Sequence, residues 1–177
     1  MENQEYSVSA SDFIIDALFE LMKEQSFEKI SITEIAQKAG VSRLSYYRNF
    51  QTKEDIILTF FEQEFQQFLY EIKTLDICDI SFRKLISVSF SYWEKRQDRI
   101  RMLMRDEQIY LIYVSFNKYL SEILKEYQMK FKLSFWQGKF LEGGIMIVLL
   151  EWIQNGCKNS PDEMAEELSE KYKIDIL

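Results

Sequence analysis

The stretch from residue 31 to residue 50 reads Ser-Ile-Thr-Glu-Ile-Ala-Gln-Lys-Ala-Gly-Val-Ser-Arg-Leu-Ser-Tyr-Tyr-Arg-Asn-Phe, and it predicts two short helices separated by a tight turn. Ser31 and Glu34 have the spacing of a capping box, which marks the start of a helix. Gly40 suits the left-handed position that ends a helix, and Ser42 can cap the helix that follows. The stretch therefore predicts a helix-turn-helix, an arrangement whose second helix can enter the major groove of DNA.

These two helices divide their side chains between an inner and an outer side. The side chains expected to face inward are those of Ile32, Ile35, Ala39, Tyr46 and Phe50. The outward positions of the second helix offer cationic, hydroxyl and amide groups suited to phosphates and base edges, at Arg43, Leu44, Ser45, Tyr47, Arg48 and Asn49. From residue 35 to residue 53 the chain has basic residues and no acidic one, although its net charge is −7. We expect a small positive patch on an otherwise acidic protein.

The rest of the chain also has a helical pattern. Apolar spacing predicts a first helix around residues 14–22 and a long helix that opens at Thr52, with further helices near 81–96, 99–127 (with one break), 134–155 and 161–172. Five glycines and one proline are too few to turn many strands, and 47% apolar residues suffice for a core. The predicted fold class is all-α, with a three-helix N-terminal domain that contains the helix-turn-helix and a larger C-terminal helical domain.

Several functional classes are disfavoured by residue usage. The chain has no histidine, so histidine-dependent catalysis and most catalytic zinc sites are excluded. Cys78 and Cys157 lie far apart and have no metal-ligand spacing, and no paired-carboxylate or nucleotide-loop motif is present. We therefore predict a protein that is not an enzyme and that holds no cofactor or metal. No signal peptide and no apolar run of roughly 20 residues is present, which predicts a cytoplasmic protein that does not bind a membrane.

The run from Ser31 to Ile56 resembles the DNA-binding region of the TetR family of bacterial regulators. The matching elements are Ile35-Ala36, the turn from Ala39 to Ser42, the Tyr47-x-x-Phe50 pair and Lys53. With the first helix, the resemblance covers residues 8–68. It implies a DNA-binding domain at 8–68, with its helix-turn-helix at about 31–50, and a regulatory and dimerisation domain at 69–177.

The same resemblance implies a role for each matching residue. Tyr47 and Lys53 resemble the phosphate contacts of the family, and Thr33 stands at a helix N-terminus where a phosphate could dock on free amides. The full set of candidate DNA-binding residues is Thr33, Arg43, Leu44, Ser45, Tyr47, Arg48, Asn49 and Lys53. Leu44 stands where the family often has glycine, and Asn49 stands where it often has an aromatic residue or histidine. The resemblance therefore does not determine which bases are recognised. The alternative is a basic face that is merely solvated.

The C-terminal region supplies candidate ligand and dimer residues. Aromatic and Met side chains that could line an effector pocket are those of Trp93, Met102, Tyr110, Tyr113, Phe116 and Trp136, with ordinary core packing as the alternative. Ile145 to Leu150 is apolar around the whole helix, which indicates a core on one side and a partner on the other. The TetR resemblance implies that the last two helices of each subunit form the dimer interface, for which the candidate residues are Gly143, Gly144, Ile147, Val148, Met164 and Leu168. The glycine pair, the ending from Trp152 to Gly156 and the start at Ser160-Pro161 resemble the C-terminal domain of a Firmicutes-type subgroup.

Together these features predict a homodimeric repressor that binds a pseudo-palindromic double-stranded DNA operator and responds to an unknown small molecule. Alternatives of the same fold are an activator and a DNA-binding protein without an effector. A helical enzyme and a helical adaptor that has lost DNA binding are further alternatives, which the missing histidines and the intact Tyr47, Arg48 and Lys53 respectively disfavour.

Overall fold

A computed structural model of the chain describes residues 9–74, 81–131 and 133–171, and within these ranges every regular element is helical. A short 3-10 helix, Phe27–Lys29, lies between the first two α-helices. The α-helices are α1 (Ala10–Glu24), α2 (Ile32–Lys38), α3 (Arg43–Asn49), α4 (Lys53–Thr74), α5 (Phe82–Glu94), α6 (Gln97–Arg105), α7 (Ile109–Phe131), α8 (Phe135–Gln154) and α9 (Pro161–Lys171). The all-α prediction is confirmed.

The helix starts are set by short polar signals. Ser31 and Glu34 form the predicted capping box at α2, in which each side chain bonds the backbone of the other. At α9, the Ser160 amide donates to Glu163 and the Glu163 amide donates to Ser160, so this start is also as predicted. Two further capping boxes, Ser9 with Asp12 and Ser134 with Gln137, were not singled out in the sequence.

The single break predicted within residues 99–127 lies between α6 and α7. Glu107 has a φ of +61°, and the Gln108 amide donates to the Leu103 carbonyl at 2.8 Å. This is the hydrogen-bond pattern of a Schellman motif, which ends a helix with one left-handed residue. A non-glycine residue in that conformation costs about 1–2 kcal/mol, so the hydrogen bonds around it must offset this cost.

The described chain divides into two compact units. Unit 1 contains the described residues up to Phe60 together with Met102–Leu111, and unit 2 contains Phe61–Arg101 and the described residues from Ile112 onward. In unit 1, α1 contacts both α2 and α3. In unit 2, the centre is an aromatic cluster of Phe61, Phe65, Trp93, Phe116 and Tyr119. The expected domain boundary after residue 68 falls within α4 and stays a prediction.

Hydropathy gives one further result. None of the helices in the described ranges is both long enough and apolar enough to cross a membrane.

Candidate nucleic-acid interface

The α2–turn–α3 segment has a small, tightly closed core. Ile35 and Tyr46 are fully buried and Phe50 is nearly so, while Ile32 and Ala39 are half-buried. These are the five side chains that the sequence placed on the inner side. Their burial fixes which side of α3 is left to face outward.

The turn between the two helices depends on Gly40. Its φ is +67°, and the Val41 amide donates to the Ala36 carbonyl at 3.0 Å, as in a Schellman motif. α3 then begins at once, because the Ser42 hydroxyl accepts a hydrogen bond from the Ser45 amide at 3.0 Å. Both signals were predicted from the sequence, and together they set the angle at which α3 leaves the turn.

The outer side of α3 is open to solvent. Leu44 is 64% exposed and Tyr47 is 49% exposed, and Arg43 and Arg48 are also exposed. Among the described residues, neither arginine has an ion-pair or hydrogen-bond partner. Their guanidinium donors are therefore available to a ligand.

The other candidate DNA-binding residues of α2 and α3 differ in their exposure and hydrogen bonding. Thr33 is exposed in the first turn of α2, and Ser45 is half-buried. The Asn49 side-chain amide donates to the Ser45 carbonyl at 2.8 Å, so one of its two N–H groups is already used within the helix.

Lys53 differs from the residues of α3 because its donors are occupied. Its Nζ donates to the carbonyls of Phe27 at 2.7 Å, Ile30 at 2.8 Å and Glu28 at 3.2 Å. The ammonium group also lies 4.6 Å from the centre of the Phe27 ring. An ammonium group has three N–H donors, and here each has a carbonyl partner. A phosphate contact by Lys53 would therefore replace a bond that the structure already contains.

Tyr46 connects α3 to the start of α4, a contact that the sequence did not reveal. Its hydroxyl donates to the Thr52 carbonyl at 3.1 Å, and burial raises the pKa of the phenol to about 12. The hydroxyl is thus protonated at physiological pH and remains a donor. Thr52 directly precedes Lys53, so α3 and the lysine are held to the same short segment.

The six candidate effector residues do not share one environment. Trp93 and Phe116 are buried in the aromatic cluster of unit 2, with ring centres 4.7 Å apart, while Tyr113 and Trp136 are exposed. Met102 and Tyr110 belong to unit 1, where Met102 is half-buried and Tyr110 is exposed. A cavity of about 60 Å³ in unit 2 has a different lining, formed by Phe82, Ile86, Phe140, Leu141, Gly144, Ile145, Val148 and Leu168.

The candidate dimer residues of α8 and α9 lie at the surface of unit 2. Ile147 is 56% exposed, and Gly143, Val148, Met164 and Leu168 are half-buried. Neither glycine of the pair has a neighbouring atom within 4 Å of the place where a Cβ would stand, apart from its own helix and chain neighbours. Three of the six candidates, Gly144, Val148 and Leu168, line the apolar cavity.

Two family profiles match this chain, the first within unit 1 and the second mostly within unit 2. Residues 14–59 match the profile described as bacterial regulatory proteins of the tetR family. Residues 82–171, half of the chain, match the profile described as a transcriptional regulator C-terminal region.

Two curated relatives are similar over part of their length. The fatty acid metabolism regulator protein of Bacillus subtilis (strain 168) is 36% identical over 56 residues, which are 32% of this chain and 29% of that protein. The activator DhaS of the dhaKLM operon, from Lactococcus lactis subsp. lactis (strain IL1403), is 22% identical over 119 residues. That match covers 55% of this chain and 64% of the activator. The matched part of this chain thus spans less than two thirds of either relative.

Solved structures share the fold over most of the chain. The dihydroxyacetone kinase operon activator DhaS superposes with a TM-score of 0.66 at 17% identity, covering 96% of this chain and 97% of that one. The regulator FadR from Bacillus subtilis in complex with stearoyl-CoA gives a TM-score of 0.57 at 20% identity, covering 89% and 95%. With both profiles matched and the helix-turn-helix in place, the chain belongs to the TetR family of bacterial regulatory proteins, a family of transcriptional regulators.

Proposed function

We propose that this chain is a repressor that binds a pseudo-palindromic operator as a homodimer and releases it when a small molecule binds to unit 2. The observation that carries the DNA-binding part is the outer side of α3. Two arginines without partners among the described residues stand there beside exposed Leu44 and Tyr47, on a helix whose other side is fixed by buried Tyr46 and Phe50. Cations supply the affinity for phosphates, and the neighbouring side chains read base edges.

The homodimer is supported by the exposed side of α8. Phe140, Gly144, Ile147 and Val148 recur at a helical spacing on that side, and Phe140 and Ile147 are more than half exposed. Full burial of one such apolar side chain contributes about 1.5–3 kcal/mol. The open space at Gly143 and Gly144 would let the backbone of a second helix approach closely. A partner copy would thus cover an apolar strip that is costly to leave in water.

The effector is proposed to have a long apolar part. The core of unit 2 around Trp93 and Phe116 is aromatic, and one solved relative of this fold, FadR from Bacillus subtilis, is in complex with stearoyl-CoA. The cavity of about 60 Å³ is far smaller than the roughly 300 Å³ of a usual ligand pocket. An apolar chain would therefore have to part the helices around the aromatic cluster, and that rearrangement would supply the difference between two states that regulation requires.

The operator is tested by selecting bound DNA from a random pool with the intact protein. We expect two inverted half-sites whose centres are about 10 base pairs, or a multiple of one helical turn, apart. An asymmetric single site would contradict the dimer. A reporter gene whose promoter carries the selected site should be expressed less when the regulator is present. The protein would act on this site in the cytoplasm.

The effector is tested with stearoyl-CoA as the probe and coenzyme A as the control. We expect stearoyl-CoA to quench tryptophan fluorescence and to weaken operator binding, whereas coenzyme A alone should do neither. If both ligands act alike, the apolar chain is not what unit 2 recognises.

An activator is the second candidate. The curated relative DhaS and the solved structure of DhaS both favour it, because each is described as an operon activator. The reporter experiment separates the two candidates, since an activator raises expression from the same site.

A further inference from the structure

The 3-10 helix Phe27–Lys29 lacks the cap that its own sequence would provide. Ser26 stands at its N-cap position, but its side chain makes no capping hydrogen bond. The Phe27 amide instead donates to Oδ2 of Asp106 at 2.7 Å, across 79 residues of chain. The Asp106 side chain is only 5% exposed, so this carboxylate is a buried cap supplied from the α6–α7 connection.

Arg105 strengthens the same connection. Its Nε donates to Oδ1 of Asp106 at 2.8 Å, and its Nη2 donates to the Met22 carbonyl at 2.6 Å. Met22 lies in the last turn of α1, where carbonyls have no partner within the helix. Residues 105 and 106 therefore close both the end of α1 and the start of the 3-10 helix, and all of these groups belong to unit 1.

Lys53 holds the other side of the same turn. Its ammonium group binds three carbonyls from Phe27 to Ile30, and Lys53 is the first residue of α4. The residue before it, Thr52, accepts the hydrogen bond from Tyr46 of α3. Hydrogen bonds on both sides of the turn, together with the peptide bond between Thr52 and Lys53, thus connect Asp106 to α3.

We propose that Asp106 is a positioning residue for DNA binding, which orients α3 by holding the Phe27–Lys29 turn against Lys53. This inference rests on the proposed DNA contacts of α3. It assigns Lys53 a role through the turn carbonyls, whereas the sequence implied a direct phosphate contact.

Because Asp106 is negatively charged, a positioning role and direct repulsion of phosphates predict opposite changes in DNA affinity when it is removed. Removing a carboxylate from a DNA-binding protein leaves its affinity unchanged or raises it, because less negative charge then repels the phosphates. A positioning role predicts the opposite. Asp106→Ala should weaken binding to specific and non-specific DNA alike by about tenfold, since an amide and a guanidinium lose a charged partner. The dependence of affinity on salt should stay as in the wild type, because no phosphate contact is removed.

Two variants control this measurement. Asp106→Asn removes the same charge but keeps an oxygen that can accept the Phe27 amide, so we expect a smaller loss than with alanine. Asp98→Ala removes a carboxylate that is 82% exposed on α6, the helix that ends just before Asp106, and should leave the affinity unchanged or slightly raised. All affinities are measured at a temperature where circular dichroism shows each variant fully folded, which separates positioning from loss of stability.

The pairing of Asp106 with Lys53 is tested by a double-mutant cycle on operator affinity. If both residues act through one turn, Asp106→Ala combined with Lys53→Met should cost less than the product of the two single losses. Losses that multiply, or an Asp106→Ala variant that binds as tightly as the wild type, would overturn the proposal. Arg48→Ala serves as the reference for the proposed function, because wild-type and Arg48→Ala proteins that bind DNA equally would refute the α3 contacts instead.

Discussion

The outer side of α3 and the exposed side of α8 both present large side chains to solvent, but they differ in what those side chains can bond. On α3, Arg43 and Arg48 offer guanidinium donors beside Leu44 and Tyr47. On α8, the exposed large side chains include those of Phe140 and Ile147, with space left open at Gly144. The first surface suits an anionic polymer, and the second suits another apolar helix.

One acidic chain thus has two surfaces that suit two different kinds of partner. Cations attract phosphates over a long range, and salt screens this attraction, so the arginines of α3 would contribute affinity for DNA of any sequence. An apolar surface without donors gains only from close packing, so it requires a partner of matching shape. A second copy of the same helix would be such a partner if this surface is self-complementary across a two-fold axis.

The largest effect is expected from a charge placed on the α8 surface. Gly144→Glu should give monomers, because a Cβ at this position meets no atom within 4 Å in the isolated chain, while a partner helix could not accept a buried carboxylate. Val148 is half-buried and lines the apolar cavity, so Val148→Glu should give monomers or misfolded protein. Operator affinity should fall by at least about a hundredfold, since one recognition helix alone loses the gain from two linked half-sites.

Sedimentation at micromolar concentration checks this prediction. Asn159→Glu adds the same charge at an exposed loop residue and should remain dimeric. If both α8 variants stay dimeric and folded, the interface lies elsewhere, with α7 as the next candidate.

The next effect concerns which bases α3 recognises. Arg43→Ala should relax discrimination at one position of each half-site by about 1–3 kcal/mol, because an arginine that reads a base edge is lost. Leu44→Gly should also change the preferred sequence. Selection from a random DNA pool with each variant is the measurement, and an unchanged consensus would show that these side chains do not read bases.

A smaller and more uniform effect is expected for Arg48. Arg48→Ala should weaken binding to all sequences by about tenfold and reduce the slope of log affinity against log salt by about one. Lys158→Ala removes an exposed cation of unit 2 and should leave the slope unchanged. If the Arg48→Ala variant has the same salt slope as the wild type, this guanidinium does not contact a phosphate.

Local signals made much of this fold predictable. Ser31 with Glu34 and Ser160 with Glu163 are three residues apart, so the partners meet as soon as the helix forms. Gly40 likewise acts within its own turn. The break between α6 and α7 was expected, but its left-handed Glu107 was not, because no glycine marks it.

Contacts over long sequence distances could not be predicted. Lys53 was identified by its motif, yet its bonds to carbonyls from Phe27 to Ile30 depend on how α1 and α4 pack. Asp106 carries no motif at all, and its partner is 79 residues away. The aromatic residues show the same limit, since Trp93 and Trp136 have similar chemistry but only the packing determines that the first is buried and the second exposed.

The smallest effect is a loss of stability in acid, which would act on unit 1. The Ser31 hydroxyl, followed by its amide, lowers the pKa of Glu34 below its usual value of 4.5, and the Thr52 amide does the same for Asp55 below 3.8. A carboxyl whose pKa is lower in the folded state stabilises that state above the unfolded pKa, and this contribution disappears as the pH falls through the folded pKa. The free energy of unfolding should therefore decline below about pH 4.5. Glu34→Gln keeps an oxygen for the capping box but cannot titrate. The variant should therefore be less stable at pH 7, and its free energy of unfolding should change less between pH 4.5 and pH 3 than that of the wild type. Urea unfolding across this range is the measurement, and a Glu34→Gln profile parallel to that of the wild type would mean that this cap contributes nothing to acid sensitivity.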